Sequence, residues 1–236
     1  MNLKGSRALV TGGSEGIGRA IGELLIERGA RVALMSRRAE KVEAAAKELG
    51  ALGLQGDVSQ PEDVNRVVER VVAEFGGLDI LVNNAGFGTF GLLTELSLED
   101  FQRTFATNVT GAMLMARAVA PHMIRQKSGN IINISSTSGL KGSARGTTYC
   151  GTKFALRGMT ECWREELRRH NIRVTLVNPS EVQTNFGATA GREARALDPK
   201  KLRSEEIAQA IVGTLEIDDR GFIPEFSVFA TNPFPG

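Results

Sequence analysis

The sequence predicts an α/β fold, a doubly wound and mainly parallel sheet with helices on both faces. Apolar strand-like runs alternate with helical periodicity along the whole chain, and runs such as Val32–Met35, or Ile80–Asn83 up to its last residue, are continuously apolar rather than alternating. Strands buried on both faces read this way, because the helices of βαβ crossovers cover a parallel sheet above and below. A third sign is the glycine cluster Thr11-Gly12-Gly13-Ser14-Glu15-Gly16-Ile17-Gly18, set between the first strand and the first helix.

The elements follow in order. Arg7–Thr11 leads into a helix over Gly16–Arg28 that Gly29 ends, and Val32–Met35 precedes a helix over Ala39–Leu49. Leu52–Gln55 precedes Pro61–Phe75, opened by Ser59 and Pro61 and closed by Gly76-Gly77. Ile80–Asn83 precedes one long helix near Leu98–Gln126, Ile131–Ser135 precedes Tyr149–His170, and Val174–Asn178 precedes Glu205–Leu215. A last strand is expected at Phe222–Phe229. The stretch 179–201 is small and polar with scattered charges, longer than most connections in a compact domain, and reads as a lid over the substrate or an insert. Residues 231–236 read as a loose tail. No linker or repeat divides the chain, so residues 1–236 are expected to form one domain.

Composition narrows the function. The 236 residues carry a formal net charge of +2 with both signs interspersed, so there is no basic stripe for a nucleic acid. No signal-type stretch opens the chain and no apolar run has the length of a membrane span, so a cytoplasmic protein without a membrane partner is expected. The only cysteines are Cys150 and Cys162 and the only histidines His122 and His170, a set without metal-ligand spacing, so no metal is expected. Cys150 reads as a packing residue and both histidines as structural.

The glycine cluster has the context of a nucleotide-binding turn, a strand running into a helix, with the spacing G-x-x-x-G-x-G. Gly12 lets backbone approach a diphosphate, Gly16 and Gly18 let the helix start close to the strand, and Ser14, Glu15 and Ile17 complete a turn whose N–H groups face the anion. Ser36, Arg37 and Arg38 end the second strand, where an NAD(H) site usually places a carboxylate and an arginine instead accepts a 2′-phosphate. NADP(H) is therefore the expected cofactor, with Glu15 arguing toward NAD(H). Asp57 and Val58, ending the third strand, are expected beside the adenine, and Asn83-Asn84-Ala85-Gly86 at the carboxyl end of the fourth strand where ligands gather.

Further along stand Asn108, Ser136, Tyr149-x-x-x-Lys153 and Asn178-Pro179. In this order and with the glycine motif, they resemble the motif set of the short-chain dehydrogenase/reductase superfamily across nearly the whole chain. The resemblance implies a seven-stranded Rossmann-type sheet, a nicotinamide cofactor and a homodimer or homotetramer. It makes Tyr149 the group that exchanges a proton with the carbonyl oxygen, Ser136 the hydrogen-bond partner of the same oxygen, and Asn108 the holder of a water behind Lys153. Tyr149 and Lys153 share a helical face, so a lysine cation within a few ångströms is expected to pull the phenol below its ordinary value of about 10, by about one to three units.

By the same resemblance, Val182 and Thr184 belong to the stretch that touches the nicotinamide carboxamide and ribose, and Asn84, Ala85, Gly86, Pro179, Tyr149 and Lys153 are also expected to contact the cofactor. Ser180 stands where relatives usually have glycine. The carboxyl end carries Gly221-Phe222-Ile223-Pro224-Glu225 in place of the glycine-rich closing motif of fatty-acid-type 3-oxoacyl reductases, which weakens that assignment. Phe87, Phe90 and Phe186 are expected as apolar walls of the substrate pocket, with Arg192 and Arg195 as solvated charges on the lid. Phe101, Phe105, Val109, Ala112, Met113 and Ala116 put apolar residues on more than one side of the long helix, which with the family habit suggests an oligomer contact there and on Tyr149–His170. The function expected is a carbonyl/alcohol oxidoreductase. The alternatives are a 3-oxoacyl-thioester reductase and a non-catalytic cofactor-binding regulator.

Overall fold

The computed structural model describes residues 1–184, 186 and 198–232. Its strands are β1 Arg7–Thr11, β2 Arg31–Ser36, β3 Leu52–Gln55, β4 Ile80–Asn83, β5 Gly129–Ile134, β6 Ile172–Pro179 and β7 Glu225–Val228. They form one sheet in the order β3-β2-β1-β4-β5-β6-β7, and every neighbouring pair is parallel. The helices are α1 Gly16–Glu27, α2 Ala39–Leu49, α3 Pro61–Phe75, α4 Leu98–Phe105, α5 Ala112–Gln126, α6 Thr147–Leu167 and α7 Ser204–Leu215.

Two apolar layers account for the unbroken apolar strands. Ala8, Val10, Leu34, Ile80, Val82 and Ile132 pack against α1, α2 and α7, while Leu9, Met35, Leu81, Ile131 and Val174 pack against α3, α5 and the end of α6. Successive side chains of a strand point to opposite faces, so a strand covered on both sides is apolar at most of its positions. The strand order reverses between β1 and β4, and that switch opens a crevice at the carboxyl ends of the strands.

Three boundaries differ from the sequence reading. The helix expected over Leu98–Gln126 is broken by a π-helical turn, Ala106–Gly111, between α4 and α5. The wider turn presents Asn108 to the loop after β4, and Gly111 lies so close to Val58 that a Cβ there would sit 2.6 Å from Val58 Cγ2. Ser59 does not cap α3; Gln60 holds that place, and Ser59 instead donates to the Asp57 carboxylate through its N–H and hydroxyl. The last strand starts only at Glu225, because Pro224 has no N–H to give a ladder and contributes its carbonyl to Leu176 N.

A buried polar chain ties the sheet to α6. Asn83 Nδ2 donates to Asn133 Oδ1 (2.9 Å), Asn133 Nδ2 donates to Thr160 Oγ1 (2.8 Å), and Thr160 Oγ1 donates to the carbonyl of Leu156. Buried polar groups satisfied by one another fix a single arrangement, here the seating of α6 on β4 and β5. Among the described residues, no helix is long and apolar enough to cross a membrane.

Candidate active site

At one end of the crevice lies the glycine turn between β1 and α1. Gly12 and Gly16 have φ of 64° and 59°, a left-handed backbone that favours glycine. A Cβ on Gly12 would lie 2.8 Å from Asn84 Nδ2, and one on Gly18 would lie 2.5 Å from the Gly12 carbonyl oxygen. Thr11 clamps the turn to the next strand end, since its hydroxyl accepts from Asn84 N and Ala85 N at 3.0 Å each and donates to the Val82 carbonyl. Asn84 completes the clamp by donating through Nδ2 to the carbonyls of Thr11 and Gly12. Asn84 thus shapes the turn with its amide nitrogen.

Glu15 is the N-cap of α1 but makes no side-chain cap, so the first N–H groups of the helix have neither an intrahelical partner nor a capping side chain. Such a cradle of backbone donors and missing side chains fits a diphosphate. Ile17 and Val182 pack at the edge of the α1 core, and Thr184 Cγ2 lies 3.5 Å from where a Gly16 Cβ would stand. The structure therefore brings Thr184 to the glycine turn.

The end of β2 joins this turn through Ser14 Oγ, which donates to Ser36 Oγ (3.1 Å). Arg38 pairs with Glu15, and Lys41 Nζ lies 3.3 Å from the other Glu15 oxygen. Arg37 is exposed, and among the described residues its guanidinium has no hydrogen-bond or ion-pair partner. Asp57 spends Oδ1 on Ser59, and the Val58 side chain is buried beneath Gly111, so the expected adenine contact at these two residues is narrowed to what their local turn leaves over.

At the other end α6 carries Tyr149 and Lys153, both buried. Lys153 Nζ lies 5.6 Å from the centroid of the Tyr149 ring and donates to the Ile134 carbonyl at 2.8 Å. Ser136 caps the short turn Thr137–Gly139, accepts from Ser138 N, and lies near enough to the phenol to pull its pKa down. Of the adjoining serines, Ser135 donates to the Lys153 carbonyl at 3.4 Å and so supports the helix backbone. The rings of Phe90 and Phe186 flank Tyr149, each with a centroid separation of 5.4 Å. Phe87 stands apart from that pair, with Arg103 over its ring and its backbone N–H and carbonyl both bonded to the Asn108 side chain.

The Asn108 side chain is held by its own partners: Oδ1 accepts from Phe87 N, and Nδ2 donates to the Phe87 carbonyl and to Thr152 Oγ1. It fixes the loop after β4 to α6. One expectation is corrected here: the phenol is not acidified. Burial pushes Tyr149 up to about 12 and outweighs the downward pull of the Ser136 hydrogen bond, while burial alone pushes Lys153 down to about 8. The cation lies by the ring with its hydrogen bond on Ile134, so desolvation dominates both groups.

Residues that sequence reasoning missed are Thr11 as the clamp, Thr152 as the anchor for Asn108, and the Ile134 carbonyl as the seat of Lys153. A hydroxyl ending an apolar strand was the signal for Thr11; nothing local marked the other two. Cys150 is buried with Sγ 3.9 Å from Ser143 Oγ, in keeping with packing. Arg192, Arg195, most of the expected lid and residues 233–236 of the expected tail lie outside the described residues.

Fold and site together are those of an oxidoreductase of the doubly wound, nucleotide-binding class. Comparison with known proteins gives the family: residues 6–195 match the short chain dehydrogenase family, and the chain belongs to it. It is 34% identical to an uncharacterised oxidoreductase of Staphylococcus aureus, over 88% of this chain and 90% of that protein. It is also 34% identical to a 3-oxoacyl-[acyl-carrier-protein] reductase of Thermotoga maritima, over 90% and 91% of the two chains. Among solved structures it is similar to a metagenomic short-chain oxidoreductase in complex with NADP, with a TM-score of 0.85 and 34% identity over 98% of this chain and 100% of that one. An alcohol dehydrogenase from the archaeon Thermococcus sibiricus, complexed with 5-hydroxy-NADP, superimposes with a TM-score of 0.88 at 28% identity, covering 98% of this chain and 99% of that one.

The buried lysine has a stability signature. Folded, Lys153 gives up its proton near pH 8, against an ordinary 10.5, so between these values the unfolded chain binds the extra proton and stability rises with pH. The cost of burying the cation is complete below about pH 8 and gone above 10.5. Lys153→Met is therefore expected to raise the melting temperature at pH 7, by about 2–4 °C for each kcal/mol relieved, with the gain shrinking across that window. Melting curves of both proteins over that pH range check it; a gain that does not change with pH would contradict the buried-cation account.

Proposed function

We propose that the protein is an NADP(H)-dependent oxidoreductase that interconverts a ketone or aldehyde and the corresponding alcohol. The observation that carries this reading is the placement of a buried phenol, with a lysine at its ring and a serine at its hydroxyl, in the same crevice as a glycine cradle fit for a diphosphate. Gly12, Gly16, Ile17 and Gly18 would hold the diphosphate and Arg37 the 2′-phosphate, with Ala85, Gly86, Pro179, Val182 and Thr184 toward the nicotinamide, which supplies or accepts the hydride when bound. The NADP and 5-hydroxy-NADP complexes of the two structural relatives support the choice of cofactor.

In reduction, the Ser136 hydroxyl holds the carbonyl oxygen and Tyr149 donates its phenolic proton to it as negative charge develops there. A phenol raised to about 12 keeps its proton at neutral pH, so it is in the donating form when the carbonyl compound binds. The phenolate left behind is stabilised by the Lys153 ammonium, and solvent returns the proton. Oxidation of an alcohol runs the same transfers backward. Asn108 acts as a positioning residue, holding the Phe87 loop against α6 through Thr152.

The rings of Phe90 and Phe186 beside Tyr149 favour an apolar carbonyl compound over a sugar phosphate. A 3-oxoacyl thioester is the second reading, supported by the Thermotoga maritima relative and weakened by the carboxyl-terminal sequence. We read the protein as a cytoplasmic homo-oligomer that pairs through α4, α5 and α6, where Leu98 and Phe154 remain 70% and 45% exposed.

Purified protein mixed with NADPH or NADH and a panel of diketones, aldehydes and 3-oxoacyl thioesters is expected to consume NADPH with the first two classes. Tyr149→Phe is expected to lower turnover by about 10²–10⁴ with dinucleotide affinity nearly unchanged; full activity in that variant would refute the proton-transfer assignment. Arg37→Ala is expected to weaken NADPH binding by about tenfold or more and NADH binding little, as removal of a charge-assisted phosphate contact does. Equal losses for both nucleotides would remove the phosphate-binding role.

A further inference from the structure

The glycine turn carries a carboxylate in a place that selectivity for a phosphate does not call for. Glu15 is extended, with φ −158° and ψ 166°, and its side chain does not cap α1. It crosses instead to the start of α2, where one oxygen pairs with Arg38 and the other with Lys41. The bond from Ser14 Oγ to Ser36 Oγ holds the turn and the end of β2 together, so Glu15, Arg37 and Arg38 share one corner of the crevice. Among the described residues, two of the three cations there, Arg38 and Lys41, are already committed to a carboxylate of the protein itself.

We propose that Glu15 is a specificity-determining residue: an internal anion that competes with the cofactor's 2′-phosphate for Arg38 and Lys41 and so moderates the preference for NADP(H) over NAD(H). The inference rests on the nucleotide reading above. A 2′-phosphate carries about −1.5 to −2 charges near neutrality, as other phosphate monoesters do, so it outcompetes a single carboxylate for those cations. To do so it must break or share pairs that are partly solvated, with side-chain exposures of 54% at Arg38, 32% at Glu15 and 47% at Lys41. Pairs this exposed are individually weak, so the competition trims the affinity for NADP(H) without abolishing it. The ribose hydroxyl of NAD(H) has no charge to set against the pairs and leaves them intact. Arg37, exposed and outside the network, remains the primary phosphate contact.

Calorimetric titration of the wild type and of Glu15→Gln with NADPH and NADH tests this. Glutamine keeps the length and hydrogen-bonding capacity of the side chain, and no helix cap is lost, so the variant should fold; its melting curve verifies that. The expected result is NADPH binding tightened by about 5–20-fold, the yield of freeing two weak ion pairs, with NADH changed by less than about threefold. Adding Lys41→Met to Glu15→Gln should return part of the gain. An NADPH affinity that stays the same or falls in Glu15→Gln would overturn the proposal and make the carboxylate a spectator or an organiser of its two cations. Failure of the wild type to bind either nucleotide would instead overturn the cofactor reading itself, and this inference with it.

Discussion

The ammonium of Lys153, buried against the face of Tyr149 and seated on the Ile134 carbonyl, is the constraint on which the rest of the molecule depends. Placing a cation there is unfavourable, as its depressed pKa records. The fold holds it by fixing α6 at several points. Thr160, Asn133 and Asn83 tie the middle of the helix to β4 and β5, and Ser135 reaches the Lys153 carbonyl from the end of β5. Gly139 brings the following turn so near that a Cβ would lie 3.0 Å from the same carbonyl oxygen. The π-helical turn before α5 adds a further point, since it presents Asn108 both to Phe87 and to Thr152 in the turn between Tyr149 and Lys153.

The crevice is divided chemically as well as geometrically. Its β1–β2 end offers backbone donors, Arg38 and Lys41 paired with Glu15, and the exposed Arg37, whereas its β5–α6 end offers aromatic carbon around a single phenolic hydroxyl. On the proposed function, charge recognition and proton transfer are thus kept apart: the polar end would set affinity and choice of nucleotide, and the apolar end the dielectric in which the phenol works. A desolvated hydroxyl beside a desolvated cation responds strongly to any change of charge at the substrate oxygen, which is the condition electrostatic catalysis requires.

Much of the fold was legible because its signals are local. Continuous apolar runs such as Val10 and Leu9, whose side chains enter opposite layers, identify strands covered on both faces, and the glycine turn marks the first strand-to-helix junction. The pairing of Tyr149 with Lys153 followed from helical spacing together with the family resemblance. Other features depend on what the chain meets only after folding. The π turn arises from Asn108 finding Phe87 and Thr152, neither of which is near it in sequence. The upward shift of Tyr149 reflects the depth of the site, which spacing does not report. Glu15 was readable as a carboxylate near a phosphate position, but its engagement by Arg38 and Lys41 required the geometry of two neighbouring helix starts.

Tyr149 is the only tyrosine in the sequence, so the ultraviolet absorbance of tyrosinate reports its ionisation without ambiguity. A rapid pH-jump titration of the nucleotide-free protein measures the desolvation on which the account rests. The account predicts a phenol still protonated at its ordinary pKa of 10.0 and ionising only as pH approaches about 12. A midpoint at or below the ordinary value would mean that the phenol is solvated or already acidified by its lysine, and would contradict the buried pair.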